Sequence, residues 1–161
     1  MAAYLLLGTF NSSGRPIWRT ISDAARGKDC VVAYDEVITD GAPKPSGAYS
    51  QAIAAHGFLF VAGIGPYDPK TRLVVGTTIE DQTAQVMQNV NEVLRSRELT
   101  FGNIVNSTVY LASLNRDFAG FDATYARFLT PPFPARATTG AVLKNILVEI
   151  AVVAAFEVSD G

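Results

Sequence analysis

Two charged residues near the C-terminus stand where charge is costly. Glu149 interrupts the apolar run Leu147-Val148-Glu149-Ile150-Ala151-Val152, and an ionised carboxylate on such a strand must be paired or solvated in a cavity. Arg136 follows Phe133-Pro134-Ala135, where a rigid turn fixes the direction of its side chain. It opens what reads as the strand adjacent to that of Glu149. A guanidinium matches a carboxylate in a two-point fork, so Arg136 can hold either Glu149 or the acid group of a ligand. The residue types alone therefore leave two readings open. In one, the pair is a structural ion pair, or Glu149 points to solvent at a strand edge. In the other, Arg136 grips a substrate carboxylate while Glu149 orients or deprotonates a water.

Three further positions suggest a pocket. Tyr49 follows the flexible Gly47 and is placed either to pack or to lid a cavity. Gly63, within Val61-Ala62-Gly63-Ile64, removes a side chain from a strand, which marks a bulge or a close approach by another group. Asp122 falls on a different face from Phe121 of a helical stretch and reads as solvated surface. Much other chemistry is excluded by scarcity. One cysteine, Cys30, forms no internal disulfide, and one histidine, His56, leaves too few ligands for a zinc or iron site and too few bases for triad catalysis.

The elements that must position these residues follow from periodicity. The 161 residues are 48% hydrophobic and 17% charged, enough to bury one core, and roughly 100–200 residues is the usual span of a domain. Residues 1–30 differ in composition, with Arg15, Arg19, Arg26 and Lys28 among several Ser and Thr, and read as an appended extension. Residues 31–161 read as the globular domain. A first strand is expected over 31–38, and two prolines within 41–47 exclude helix there. Residues 48–55 and 58–64 read as paired strands around a His56-Gly57 turn, and residues 73–75 as a short edge strand. Thr78 and Asp81 form a capping pair ahead of a helix whose stripe is Ile79, Val86, Val90, Val93 and Leu94. Residues 104–111 alternate as a strand. Phe118, Phe121, Tyr125, Phe128 and Leu129 recur at helical spacing until Pro131-Pro132. Residues 137–143 and 147–156 complete the set, the last strand apolar enough to lie at the sheet centre. The fold class is α+β, a mixed sheet with two helices on one face, and such a one-faced sheet in a small chain is expected to oligomerise.

The net charge of −2 supplies no cationic stripe for nucleic acid, and no apolar run approaches the ~20 residues that span a bilayer. No nucleic-acid or membrane partner is expected, and the lone cysteine fits a cytoplasmic protein.

Taken together, several blocks resemble the reactive intermediate deaminase family, RidA or YjgF, also labelled L-PSP endoribonuclease. They are Gly47-Ala48-Tyr49-Ser50-Gln51, Phe60-Val61-Ala62-Gly63, Asp68-Pro69-Lys70-Thr71, Glu80-Asp81-Gln82-Thr83, Val109-Tyr110-Leu111, Asp117-Phe118-Ala119, Pro134-Ala135-Arg136 and Leu147-Val148-Glu149-Ile150. The resemblance implies a chorismate-mutase-like fold assembled as a homotrimer with ligand sites in the clefts between subunits. It implies hydrolysis of enamine or imine acids such as 2-aminoacrylate to 2-keto acids and ammonia, without metal or organic cofactor. Arg136 matches the arginine that binds the substrate carboxylate and Glu149 the glutamate that positions water. Tyr49 and Gly63 match pocket-lining positions, and Thr138 stands where many members carry cysteine. Departures are Ile64-Gly65-Pro66 in place of Gln-Ile-Pro, a shorter loop before Lys144, and Asp122 in place of asparagine, which on this resemblance is a substrate-binding position whose negative charge near the carboxylate end of the pocket would disfavour small amino-acid-derived acids. The alternatives are a non-catalytic ligand-binding regulatory trimer and a pathway-specific deaminase of a larger aminated diene acid. The ribonuclease label lacks a basic groove or a histidine pair to support it.

Overall fold

The computed structural model describes residues 33–157; the extension expected over 1–30 lies outside them, as do Val31 and Val32 of the expected first strand. The elements are β1 Asp35–Val37, β2 Ala52–Ala55, β3 Phe58–Ile64, α1 Ile79–Arg95, β4 Ile104–Leu111, α2 Leu114–Ala126, β5 Ala135–Gly140 and β6 Val148–Ala155. They form one six-stranded sheet in the order β1-β2-β3-β6-β4-β5. Among the described residues only the β4–β5 pair is parallel, so the sheet is mixed.

Local sequence explains most boundaries. His56 and Gly57 both take positive φ, 50° and 81°, the backbone that a two-residue turn needs to match strand twist, and β2 and β3 pair across it. Thr78 caps α1 by accepting from the Asp81 N–H at 3.1 Å. All five residues of the expected helical stripe are buried. On β6, Val148, Ile150, Val152 and Ala154 alternate inward, and this strand does lie inside the sheet, between β3 and β4.

Five expectations are corrected. The strand expected from residue 48 begins at Ala52, because the buried Gln51 amide reaches back to the backbone of Thr39, Ala42 and Pro43 and turns the chain. Residues 73–75 make only an isolated bridge, Tyr67 to Val74. Helix α2 starts at Leu114, ahead of the aromatic stripe. The strand expected over 137–143 is β5, Ala135–Gly140, which places Arg136 within it. Nor does β5 adjoin β6. A helical crossover returns the chain parallel to the strand it left, so β5 pairs with β4, and β4 separates Arg136 from Glu149.

Both helices pack on one face, α1 against β3 and β6 and α2 against β4. Among the described residues the other face carries no helix. Phe58 and Phe60 lie exposed on it beside half-buried Ala151 and Val153. Among the described residues no helix is long and apolar enough to cross a membrane.

Candidate functional site

Strand register decides where the charged pair can act. Arg136 lies opposite Ser107 on β4, and Glu149 lies opposite Tyr110. Side chains alternate between faces along a strand, so these two β4 positions point to opposite sides of the sheet, and with them Arg136 and Glu149. Ser107 is buried on the helix side, where its hydroxyl bonds the Tyr125 hydroxyl at 2.7 Å. Arg136 belongs to that side and Glu149 to the bare one. A direct Arg136–Glu149 pair within one chain is thereby excluded, and the expectation that the two meet is corrected for the single protomer.

On the bare side Glu149 borders a cavity of about 440 Å³ with Tyr49, Gly63, Tyr67, Arg72 and Lys144. Gly63 explains how the carboxylate fits. A Cβ built there would stand 2.5 Å from Glu149 Oε1 and 2.8 Å from its Cδ, so the missing side chain is the space the glutamate occupies. The bulge expected as the other explanation is also present, as a register shift between Val61 and Ile64. Tyr49 is 51% exposed at the mouth, and its hydroxyl accepts from the Ser46 N–H at 3.2 Å.

The second group sits at the β5 edge under α2. Arg136 Nη2 lies 2.7 Å from Asp122 Oδ1. The guanidinium carbon stands 5.9, 5.3 and 5.2 Å from the ring centroids of Phe118, Phe121 and Tyr125. Positions 118, 121, 122 and 125 follow the i, i+3, i+4, i+7 rule, so one helix face presents three rings and one carboxylate. Cation–π contact holds the flat cation over the rings. Asp122 is therefore an ion-pair partner rather than free surface. Burial pushes the Tyr125 phenol up, against the opposing pull of the Ser107 hydrogen bond and of Arg136, while Asp122 adds to the rise. Thr138 lies beside Arg136 on β5, and its buried Oγ1 has no hydrogen-bond partner among the described residues.

Sequence reasoning gave no role to two buried amides of α1 that bond the backbone of other segments, Asn89 doing so at the cavity wall. Asn89 on α1 donates to the carbonyls of Gly65 and Tyr67 at 3.1 and 2.9 Å. Gln82 donates to Gly76 O and accepts from Leu147 N–H at 3.1 and 2.7 Å. Both are buried, and the available signal was an amide on the apolar stripe of α1 twice in two turns. His56 is exposed in its turn. No group of three or more His, Cys, Asp or Glu among the described residues is placed to hold a metal.

The mixed sheet with both helices on one face, and a cavity beside Glu149 on the other, defines an α+β fold class. Residues 39–156 match the family described as Endoribonuclease L-PSP. A RutC family protein of Pyrococcus horikoshii is 41% identical over 120 residues, covering 73% of this chain and 94% of its own. Reactive Intermediate Deaminase A, chloroplastic, of Arabidopsis thaliana is 34% identical over 145 residues, covering 89% of this chain and 75% of its own. The crystal structure of RidA from the Antarctic bacterium Psychrobacter matches with a TM-score of 0.72 at 27% identity, over 76% of this chain and 99% of that one. The chain belongs to this family, the RidA/YjgF family.

Proposed function

We propose that the protein hydrolyses reactive enamine or imine acids to 2-keto acids and ammonia, in a homotrimer whose sites lie between subunits. One observation carries this reading: a guanidinium fixed over three rings and a carboxylate seated against a glycine lie on opposite faces of one sheet. A neighbouring copy that lays its β5 edge against the bare face reunites them. The exposed Phe58 and Phe60 on that face supply apolar surface for such a contact. The deaminase name of the Arabidopsis relative points to the same chemistry.

The enamine first tautomerises to an imine, whose carbon is electrophilic. Arg136 of one subunit binds the acid group and draws electron density from the C=N bond. Glu149 of the next holds a water by hydrogen bond, accepts its proton as oxygen attacks carbon, and returns that proton to nitrogen. Glu149 then passes the hydroxyl proton of the carbinolamine to nitrogen, the C=O bond forms as the C–N bond breaks, and ammonia leaves with the keto acid remaining. One water is consumed for each ammonia released, and the residues end as they began.

Complementation tests this directly. Arg136→Ala and Glu149→Ala are each expected to lower ammonia release from enzymatically generated 2-aminoacrylate by roughly a hundredfold or more, leaving a small residual rate. Co-expressed in equal amounts they are expected to recover about a quarter of the wild-type activity, because half the subunits offer a good arginine and half their neighbours a good glutamate in a heterologous ring. Mixed assemblies that form and stay inactive would overturn the shared site. Binding of the keto acid by wild type without any ammonia release would leave a non-catalytic ligand-binding protein instead.

A further inference from the structure

The cation assigned to the substrate's acid group already has an anion beside it. Arg136 Nη2 meets Asp122 Oδ1 at 2.7 Å, and the Arg136 side chain is 23% exposed against 47% for Asp122. The carboxylate comes from the same α2 face as the three rings, so its place is set by the helix rather than by a flexible loop. It takes one terminal nitrogen, whereas a guanidinium has five N–H donors. The remaining edge stays able to donate to a ligand, but from a pair whose charges cancel locally. The opposite effects of Arg136 and Asp122 on the Tyr125 phenol beneath them are in keeping with that cancellation.

We infer that Asp122 determines specificity by lowering the preference of the site for carboxylates over neutral carbonyl groups, so that imines of amides and esters are accepted alongside imino acids. The inference rests on the proposed contact between Arg136 and the substrate's acid group. A lone buried guanidinium selects an anion by net charge as well as by hydrogen bonds. The Arg136–Asp122 pair keeps the hydrogen-bond geometry and gives up much of the charge term. Asp122→Asn retains an oxygen at the Oδ1 position to hold the guanidinium and removes the negative charge, which separates the two contributions.

The test is ligand binding by the full chain, followed by calorimetric titration with pyruvate and with its neutral amide, pyruvamide. Asp122→Asn is expected to raise the pyruvate-to-pyruvamide affinity ratio roughly fivefold, the scale of a half-exposed ion pair. Asp122→Ala, which also frees the guanidinium to wander, is expected to weaken pyruvamide while Asp122→Asn does not. A general packing role for Asp122 would weaken both ligands together and leave their ratio alone. An unchanged or lower ratio in a folded Asp122→Asn protein overturns the inference. Arg136→Ala separates this from the reading beneath it: full pyruvate affinity in that variant sinks the role of Arg136 itself, whereas lost affinity there with no effect of Asp122→Asn sinks only the role of Asp122.

Discussion

Gly63→Ala makes the sharpest demand on the placement of Glu149. The new Cβ would lie 2.5 Å from Oε1, 2.8 Å from Cδ and 3.2 Å from Cγ of that side chain. A carbon–oxygen contact relaxes to roughly 3.3 Å, so the carboxylate must retreat by roughly 0.8 Å. A misplacement of about 1 Å in a catalytic group costs on the order of a hundredfold in rate, which is roughly 2.7 kcal/mol of transition-state stabilisation. Stability should move the other way or not at all. The clashing atoms are the free end of a long side chain beside an open cavity, Gly63 does not take left-handed φ, and alanine restricts the unfolded chain more than glycine does. The expected result is therefore a fall of about fifty- to a hundredfold in kcat/KM for 2-aminoacrylate, with an unchanged or higher melting temperature. Because the effect passes through one carboxylate, Gly63→Ala added to Glu149→Ala should cost nothing more. Wild-type activity in Gly63→Ala would refute the link between carboxylate position and turnover. A further loss in the double variant would show that Gly63 acts by another route.

Two further outcomes follow from the scaffold. Gln51 is 2% exposed; its Oε1 accepts from Thr39 N–H at 2.7 Å, and its Nε2 donates to Ala42 O and Pro43 O at 3.2 and 3.0 Å. Gln51→Ala should lower stability by about 2–3 kcal/mol, read as a lower urea midpoint at constant slope, and a change near zero would show that the segment before β2 holds without it. Tyr125 gives a pH dependence: burial first, with Asp122 adding, raises its folded pKa above the ordinary 10.0 despite the Ser107 hydrogen bond and Arg136. The folded state then keeps the proton that the unfolded state gives up, so this stability is complete below the unfolded value and declines as pH rises through the folded one. Urea titrations between about pH 8 and pH 11 should show that decline become shallower in Tyr125→Phe, and an equally steep fall would assign it to other groups.

What the sequence disclosed and what it hid divide along local and non-local physics. The stripe of α1, its Thr78 cap and the His56-Gly57 turn are short-range patterns, and each appears where periodicity or turn chemistry places it. Glu149 was legible as a charge needing an explanation, and Gly63 as a missing side chain, but nothing local said that each explains the other. The crossover that carries β5 beyond β4 is a property of the whole sheet, so adjacency in sequence misled on the neighbour of Arg136. Asp122 was misread for a related reason. The single step from Phe121 suggested a change of face, yet 122 lies one turn from both 118 and 125 on the ring-bearing face, and an edge strand brings a cation to it.

Strand parity also limits how Arg136 and Glu149 can cooperate. Their partners on β4, Ser107 and Tyr110, differ by an odd number of residues, and no rotamer change carries a side chain through a sheet. A one-residue slip of β5 would bring Arg136 to the bare face, but it would lift the guanidinium off the three rings of α2 and away from Asp122. If the two residues act on one substrate, they must therefore come from different chains. Among the described residues β5 ends the sheet with no strand beyond it, and the face beside Glu149 is apolar where Phe58 and Phe60 lie. The edge and the face are different surfaces, so an association that joined them would be heterologous, and a heterologous association closes only as a ring.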